Sequence, residues 1–376
     1  MKILFTGGGT GGHFYPIIAV AEALRERVKE RKIIAPELFY MAPTKYDPRA
    51  LFDNGLQFVP VSAGKMRRYF SFLNFTDIFK TAFGCLSALF KLYSIYPDVV
   101  FGKGGYASFP TLLAAKLLRI PVIIHESDSK PGRVNIWASK FARRIAISYP
   151  EAAHHFKYQD KLADTGNPIR PEIAQPLSNG AREFLGLESE TPVILILGGS
   201  QGSQTINDAI MGALPDLVSR YEIIHQTGQA NLEEIKSTSA VVLKDSPYSY
   251  RYHPFDYLNV LALRMASGVA KCVISRAGST IFEIAAWAKP SIIIPLPSSV
   301  SHDQMENAFA YGRTGAASVI EENNLSPHVL TEEIDRIAGS PDIQATMSEK
   351  ARAFARLDSA RIIADALLDI ALEHEK

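Results

Sequence analysis

The feature that most constrains this fold is a short apolar strand that runs into glycines and then into a helix, and it occurs twice. Residues 2–6 precede a first glycine segment at 7–12, and residues 192–197 precede a second one at 198–202. Glycine lets the backbone turn with positive φ before the helix begins. Strand, glycine turn and helix in succession are typical of parallel α/β domains.

The same alternation continues through both halves of the chain. We predict strands at 2–6, 38–42, 57–60, 98–101, 121–125, 144–148, 192–197, 222–226, 272–275, 291–295 and 317–320. We predict first-half helices at 12–30, 75–94, 107–118 and 132–141. The loop-rich segment 150–189 is expected to contain the linker, because it holds Gly166-Asn167-Pro168 and further prolines.

These elements predict an α/β protein with two doubly wound, Rossmann-like domains separated by a cleft. We place the first domain at 1–165, the second at 166–345, and C-terminal helices at 346–376. Packing of these last helices back on the first domain is one arrangement that the sequence leaves open.

Composition excludes several classes of protein. Hydrophobic residues make up 47% and charged residues 21% of the 376 residues, as in ordinary globular proteins. The two cysteines form no disulfide framework and have no zinc-binding spacing, which favours a reducing compartment. A net charge of +1 gives no basic field for nucleic acid. The apolar N-terminal run is too short for a signal peptide, and the longest apolar run, 81–90, is too short for a membrane span.

The first glycine segment predicts an anion site. Gly7, Gly9 and Gly12 satisfy G-x-G-x-x-G, and a helix that follows offers free amides and a positive dipole end. A ligand-free tight turn is the plainer alternative. A dinucleotide site is disfavoured, because no acidic residue follows the second strand until Asp47. His13 instead places an imidazole at this helix start, which suggests proton transfer.

Two further loops indicate a larger ligand. The segment 198–202 offers Ser200 and Gln201 as side-chain donors, and 275–283 ends in Glu283. Glu283 is placed to receive a ribose diol, or else it is a surface carboxylate without a role. Three loops suited to anions and polyols favour a nucleotide-sugar over a lone phosphate.

At these residues the chain closely resembles the bacterial UDP-N-acetylglucosamine:undecaprenyl-diphospho-muramoyl-pentapeptide N-acetylglucosaminyltransferases, which complete the lipid-linked peptidoglycan precursor. The resemblance covers residues 1 to 320 or so, in order. The matching signatures are 8–13, 102–106 with Ser108 and Pro110, His125-Glu126, 166–170, 198–202, 275–278 with Glu283, and Gln304 with Asn307.

The resemblance implies a GT-B glycosyltransferase that inverts the anomeric centre and needs no metal or other cofactor. The absence of an Asp-x-Asp motif agrees with the last point. The resemblance also implies a UDP-N-acetylglucosamine donor and an undecaprenyl-linked muramoyl-peptide acceptor. It further implies a part in peptidoglycan synthesis, cell-wall biogenesis, cell shape and division. The enzyme would lie peripherally on the anionic cytoplasmic face of the cell membrane, with the first domain facing acceptor and membrane.

Carried over by motif, the donor-binding residues lie mainly in the C-terminal half. They are Arg170 near uracil, Ser200 with Gln201 and Gly202 near the diphosphate, Phe255, Ser279 and Thr280 near sugar and phosphate, Glu283 on the ribose, and Gln304 with Asn307 on the N-acetylglucosamine. Thr10, Gly11, Gly12 and His13 would line the cleft from the other domain.

The chain departs from the family pattern in two places. It reads His125-Glu126-Ser127-Asp128 where His-Glu-Gln-Asn is usual, so Asp128 accepts from a sugar hydroxyl but cannot donate as an amide does. The loop after Arg276 is one residue shorter than is common, which allows assignments between Gly278 and Phe282 to slip by one.

Two residues are candidates for the base that deprotonates the acceptor hydroxyl. His13 is preferred because its loop directs it into the predicted cleft, although helix capping or sugar binding is the alternative. Glu126, just beyond a strand end, is the second candidate or orients the acceptor. His125 ends an apolar strand, so we expect it to be buried and hydrogen-bonded rather than catalytic.

A membrane-binding patch is predicted before and at the start of the third helix. Its residues combine cations and aromatics, which suits an anionic lipid surface: Lys65, Arg67, Arg68, Tyr69, Phe70, Phe72 and Phe75. The aromatic stripe continues at helical spacing through Phe83 to Phe90, and for this later half we expect a buried core face instead.

Two other function classes remain open on sequence alone. One is a different GT-B enzyme, such as a glycolipid glycosyltransferase or a UDP-sugar epimerase. The other is a non-catalytic nucleotide-sugar-binding protein. The presence of His13, Glu126, Glu283 and Gln304 argues against the second class.

Overall fold

The structure is a computed structural model that describes residues 1–64, 72–188, 190–199 and 201–373. The chain divides into two compact units. Unit 1 comprises Met1–Arg170 and Arg356–Lys376, and unit 2 comprises Pro171–Ala355. The segment that we predicted as separate C-terminal helices, 346–376, is divided between the two units after Ala355.

Unit 1 is built on a parallel sheet. Its strands are β1 (Lys2–Thr6), β2 (Glu37–Ala42), β3 (Leu56–Pro60), β4 (Val99–Gly102), β5 (Val122–Glu126), β6 (Arg144–Ile147) and β7 (Leu162–Asp164). Their order across the sheet is β3-β2-β1-β4-β5-β6-β7. Inner strands such as β4 and β5 are buried along their whole length, because helices cover both faces of the sheet.

The helices of unit 1 follow the strands in the order of a doubly wound domain. They are α1 (Gly11–Arg31), α2 (Pro48–Asp53), α3 (Phe72–Ile95), α4 (Phe109–Leu117), α5 (Arg133–Ala138) and, from the end of the chain, α14 (Ser359–Glu373). The apolar side of α14 packs on α1 and includes Ile363, Leu367 and Leu368. The ion pair of Arg27 with Asp365, 2.8 Å, crosses the same contact.

Helix α3 corrects two expectations about the aromatic stripe. Ala88 and Leu92 are buried against α4, so one side of the helix belongs to the core. The stripe itself is not core: Phe83, Leu86 and Phe90 are 59–72% exposed. The error arose because helical spacing identifies an apolar face without identifying what covers it. The stretch Phe75–Ile95 is also long and apolar enough to cross a membrane, contrary to our expectation of no such run.

Unit 2 repeats the construction. Its strands are β8 (Val193–Leu197), β9 (Glu222–Gln226), β10 (Tyr252–Phe255), β11 (Ala270–Ser275), β12 (Ser291–Ile293) and β13 (Ala317–Val319), in the parallel order β10-β9-β8-β11-β12-β13. Its helices are α6 (Ala181–Leu185), α7 (Gln204–Arg220), α8 (Leu232–Val242), α9 (Val260–Val269), α10 (Thr280–Ala286), α11 (His302–Arg313), α12 (Pro327–Ala338) and α13 (Pro341–Phe354). Ser203 caps α7 by accepting a hydrogen bond from the amide of Ile206.

The prediction of two Rossmann-like domains is confirmed, and each predicted strand matches an observed strand to within two residues at either end. Two edge strands were missed. β7 has only three residues and lies inside the segment taken as linker. β10 contains Pro254, and proline in a run argues against a strand except at a sheet edge, where this one lies.

Candidate active site

Four buried or half-buried ionisable side chains meet at the carboxyl ends of β1, β4 and β5 in unit 1. They are His13, Lys103, His125 and Glu126, with Asp128 in the following loop. We call these five residues the polar cluster. The carboxyl ends of parallel strands are where such folds bind ligands.

His13 lies in the first turn of α1, and its ring is half-buried. Its Nδ1 is 2.9 Å from the hydroxyl of Thr10, the residue that precedes the helix. Its Nε2 has no hydrogen-bond partner within the described residues and points toward Gly105, where an added Cβ would lie 3.7 Å away. Burial, and secondarily the charge of Lys103, lower the pKa of His13 to about 4. The ring is therefore neutral at pH 7.

Lys103 follows β4 and is 1% exposed. Its Nζ donates to Nδ1 of His125 at 2.7 Å, to Oδ1 of Asn167 at 3.2 Å, and to the hydroxyl of Ser127. Three acceptors match the three protons of an ammonium. Burial lowers the pKa of Lys103 to about 7, while Glu126 and Asp128 act in the opposite direction.

His125 is fully buried and both of its ring nitrogens are bonded, as expected from its place at a strand end. Nδ1 accepts from Lys103, so Nε2 carries the hydrogen and donates to the carbonyl of Gly166 at 3.0 Å. Burial, together with the charge of Lys103, holds the pKa of His125 well below its usual range. His125 is thus a neutral ring fixed in one tautomer.

Glu126 organises the loop that follows β5. Oε1 accepts from the amide of Asp128 at 3.1 Å, and Oε2 accepts from the amide of Gly132 and from Nδ2 of Asn135, both at 2.9 Å. The carboxyl group is 4% exposed, and its burial, with the nearby Asp128, raises its pKa to about 7. Both oxygens are therefore occupied by backbone and amide donors.

The other predicted residues of unit 1 lie around this cluster or at its edge. Thr10 is exposed, and Gly11 and Gly12 begin α1. An added Cβ on Gly11 would lie 2.9 Å from the hydroxyl of Tyr46, so a side chain there would collide. Arg170 ends the N-terminal part of unit 1 and stacks on the ring of Tyr15 at 4.4 Å.

In unit 2 the loop from β8 to α7 is tightly folded. Gly202 has φ of +76°, and an added Cβ would lie 1.9 Å from the carbonyl of Thr227, so only glycine fits. Gln201 is exposed. Ser200 lies outside the described residues. The loop leads into α7, a helix of 17 residues whose first amides and dipole favour an anion.

Arg276 holds this loop in place. Its guanidinium donates to the hydroxyl of Ser203 at 2.6 Å and to the carbonyl of Ile294 at 3.2 Å, and it pairs with Glu322. The predicted sugar ligands Gln304 and Asn307 are also bonded to backbone: Gln304 accepts from the amide of Leu296, and Asn307 donates to the carbonyl of Ala277.

The remaining predicted donor residues lie at or after the carboxyl ends of β10 and β11, two strands of the unit 2 sheet that are separated by β9 and β8. Phe255 ends β10 and is half-buried. Ser279, Thr280 and Glu283 lie at the start of α10, also half-buried. Gly278 precedes them with open space around it, since an added Cβ would meet no atom within 4 Å.

Of the membrane patch, Lys65, Arg67, Arg68, Tyr69 and Phe70 lie outside the described residues. Phe72 belongs to α3, and Phe75 on the same helix is 66% exposed. Within the described ranges, no group of three or more His, Cys, Asp or Glu side chains is placed to hold a metal. The expectation of metal-independent chemistry stays a prediction.

Comparison with known proteins decides the family. The glycosyltransferase family 28 N-terminal domain matches residues 3–147, and the C-terminal domain of the same family matches residues 193–363. The chain is 36% identical to a UDP-N-acetylglucosamine--N-acetylmuramyl-(pentapeptide) pyrophosphoryl-undecaprenol N-acetylglucosamine transferase from Treponema denticola, covering 97% of this chain and 96% of the relative. The chain belongs to this family of glycosyltransferases.

Solved structures agree with this family assignment. MurG from Acinetobacter baumannii superposes with a TM-score of 0.74 at 25% identity, covering 98% of this chain and 99% of that one. A putative UDP-N-acetylglucosamine 2-epimerase from Listeria monocytogenes superposes with a TM-score of 0.72 at 13% identity, covering 100% and 96%. The second likeness concerns the fold alone.

Several residues that shape the candidate site were given no role by the sequence analysis, although Asn167 and Arg276 lie within signatures that it recognised. Lys103 was inside a recognised motif, but its charge was not considered. Asn135, Asn167 and Arg276 act on backbone or on other side chains that are distant in sequence. A lysine between glycines directly after a buried strand was the one signal available for Lys103.

Proposed function

We propose that the chain transfers N-acetylglucosamine from UDP-N-acetylglucosamine to the 4-hydroxyl of the muramoyl sugar of an undecaprenyl-diphosphate-linked peptidoglycan precursor. The observation that carries this proposal is 36% identity to a relative named for this transfer, extending over nearly the whole of both chains. In this proposal the polar cluster of unit 1 supplies a base for the acceptor hydroxyl. The loops that begin helices in unit 2 supply amides that stabilise the leaving diphosphate.

The reaction is a displacement at the anomeric carbon. The acceptor oxygen forms a bond to C1 of N-acetylglucosamine, its proton passes to a base, and the bond from C1 to the β-phosphate oxygen breaks. UDP leaves with additional negative charge. In this proposal the amides at the start of α7 stabilise the departing diphosphate, as preorganised dipoles do where charge develops.

His13 is the preferred base over Glu126. Its Nε2 has no partner among the described residues, whereas both oxygens of Glu126 accept hydrogen bonds from the loop 128–135. For Nε2 to accept a proton, Nδ1 must carry the hydrogen and donate to Thr10. In this assignment Glu126 holds the loop that positions the acceptor sugar, and Asp128 accepts from one of its hydroxyls.

The donor is assigned to unit 2. Gln201 and Gly202, with Ser200, face the diphosphate, Glu283 accepts from the ribose, and Ser279 with Thr280 contacts sugar and phosphate. Phe255, Gln304 and Asn307 complete this assignment by motif. Gln304 accepts from the amide of Leu296 and Asn307 donates to the carbonyl of Ala277, so backbone contacts hold both side chains in place. Arg170 is assigned to uracil by motif alone, and it belongs to unit 1, where its guanidinium stacks on Tyr15.

The enzyme is proposed to bind peripherally to the anionic cytoplasmic face of the bacterial membrane through α3. Its exposed apolar face is defined by Phe75, Ile78, Phe79, Phe83, Leu86, Phe90 and Tyr93, all 59–72% exposed. Exposed aromatics beside Lys80 suit the boundary of headgroups and acyl chains. Because α3 also packs on α4, we favour this surface position over a span.

Turnover with a short-chain, lipid-linked muramoyl acceptor tests the function. Transfer from UDP-N-acetylglucosamine is expected, with little transfer from UDP-glucose. His13→Ala is expected to retain donor binding and to slow transfer by roughly 10²–10⁴. His155→Ala is the matched control, since His155 is an exposed histidine of the same unit. Absence of transfer by the unsubstituted chain would reject the proposed function, and full turnover by His13→Ala would remove His13 from the mechanism.

A further inference from the structure

The lysine of the polar cluster is the least expected group in unit 1. Lys103 is 1% exposed, and lysine is almost never fully buried unless it is paired. All three Nζ protons are used by His125, Ser127 and Asn167, so none is left to bind a substrate. Any contribution of Lys103 to the reaction must therefore pass through its neighbours or through its charge.

The contacts of Lys103 fix parts of three different elements. His125 lies on β5, Ser127 follows it, and Asn167 lies just before unit 1 ends at Arg170. The other side of the His125 ring donates to the carbonyl of Gly166, which also accepts from the hydroxyl of Ser359 at the start of α14. Lys103 thus connects the end of β5, where Glu126 lies, to the segment with Gly166 and Asn167, just before the chain passes into unit 2. Through the carbonyl of Gly166 it is also connected to Ser359, just after the chain returns to unit 1.

The backbone of the first glycine segment rests directly on this lysine. An added Cβ on Gly7 would lie 2.8 Å from Cβ of Lys103 and 3.7 Å from the carbonyl oxygen of His13. The glycine segment that leads to His13 therefore packs directly against Lys103. Burial is the main cause that lowers the pKa of His13, and the charge of Lys103 is the second cause.

The charged and titratable groups near Lys103 and His13 come from several elements of unit 1. Lys103 follows β4, His125 and Glu126 lie on β5, Asp128 lies in the next loop, and Tyr106 follows Gly105. His125 is held neutral, and the two carboxylates stand beside Lys103, whose charge they favour. Lys103 is the cation of this group.

We propose that Lys103 is a positioning residue for the transfer: its buried ammonium fixes His125, Ser127 and Asn167, and its charge adds to the effect of burial in disfavouring a proton on the His13 imidazole before the acceptor binds. The inference rests on the proposed function where it names His13 as the base. It assigns no contact between Lys103 and either substrate.

The test compares charge-removing and charge-keeping substitutions. Lys103→Met and Lys103→Gln remove the charge, and Lys103→Arg keeps it. The pKa of His13 is measured by NMR of the labelled imidazole in the full chain. We expect it to rise by about one unit toward the ordinary value of about 6.5 in the Met and Gln variants and to stay low with Arg. Equal His13 pKa values in all four proteins would overturn the proposal.

Activity gives a second readout that a merely structural role would not move. The acid limb of the pH profile of kcat/KM should shift upward by about one pH unit in the Met and Gln variants, and Lys103→Arg should restore it. Lys289→Met is the matched control, because Lys289 is a partly buried lysine of unit 2 that donates to the carbonyls of Gly268 and Ala270. It should leave both readouts unchanged.

Two outcomes separate this inference from the proposed function. If the unsubstituted chain transfers no sugar, the function fails while the His13 titration still tests the effect of Lys103. If transfer occurs and the His13 pKa does not respond, only this inference fails. If neither Lys103→Met nor Lys103→Gln folds, the test is the pH titration of the unsubstituted protein. The NMR chemical shifts of the His13 imidazole must then change in two steps, one for His13 itself and one where Lys103 loses its proton. A single step overturns the proposal.

Discussion

The hydroxyl of Thr10 lies 2.9 Å from Nδ1 of His13, one helical turn apart at the start of α1. This contact selects between the two tautomers of the ring. When Nδ1 donates to Thr10, Nε2 is left with a lone pair, and when Thr10 donates, Nε2 carries the hydrogen and cannot act as a base.

Removal of the Thr10 hydroxyl should therefore slow transfer without unfolding the protein. We expect Thr10→Val to lower kcat about tenfold, the order of one hydrogen bond to the imidazole, because the hydroxyl makes no helix-capping bond. Thr10→Ser keeps the hydroxyl and should stay near the parent rate. Steady-state kinetics at saturating donor measure both. A Val variant as fast as the parent would mean that Thr10 does not orient the base.

Buried neutral histidines should make the fold sensitive to acid. His225 is fully buried in unit 2, where Nε2 donates to Asn207 and Nδ1 accepts from Tyr252. Burial lowers its pKa to about 3, below the ordinary 6.5 of the unfolded chain. The unfolded state therefore binds the proton first, so stability is complete above pH 6.5 and falls as the pH drops toward 3.

The pH dependence of Tm between pH 7.5 and pH 4.5 checks this prediction. His225→Gln should flatten the decline, because it removes one of the titrating groups while His13 and His125 still contribute in the same direction. His155→Gln, at an exposed position, should leave the slope unchanged. Identical slopes for the parent and His225→Gln would contradict the assignment.

Gly278 offers a test of the donor position. An added methyl group would meet no protein atom within 4 Å, so Gly278→Ala should fold with an almost unchanged Tm. If the nucleotide-sugar occupies this space, its Kd should rise about tenfold, or about 1.4 kcal/mol. Calorimetry with UDP-N-acetylglucosamine measures the change. Gly132→Ala in unit 1, whose Cβ would lie 4.0 Å from Glu126, is the control. Unchanged donor affinity would move the sugar-nucleotide away from this loop.

The exposed face of α3 should control membrane binding. Phe79→Glu with Phe83→Glu should lower partitioning onto anionic phospholipid vesicles by at least about tenfold, since each aromatic ring contributes on the order of 1.5–3 kcal/mol when buried. Phe52→Glu is the matched control, because Phe52 is 84% exposed on α2. Equal partitioning of the double variant and the parent would reject this surface. Loss of a dimer instead would identify it as a contact between copies.

The sequence determined the fold class and most of the strands of this glycosyltransferase. Strands such as β8 are continuous apolar runs followed by glycines, and strands that are buried on both faces of a parallel sheet have such continuous apolar runs. The role of the glycine segments could also be predicted, because a strand followed by glycines and the start of a helix is typical of the turns of parallel α/β domains. The motif residues of the candidate site, His13 and Glu126 among them, were found for the same local reason.

Only the tertiary structure decided what surrounds those residues. The neighbours of Lys103 are 22, 24 and 64 positions away along the chain, and no local pattern relates them. The same holds for α3, whose apolar spacing was evident while its exposure depended on which helices pack against it. The periodicity of apolar residues predicts which face of a helix or strand is apolar. Burial and charge pairing depend on which elements the strand order brings together, and a single sequence does not reveal that order.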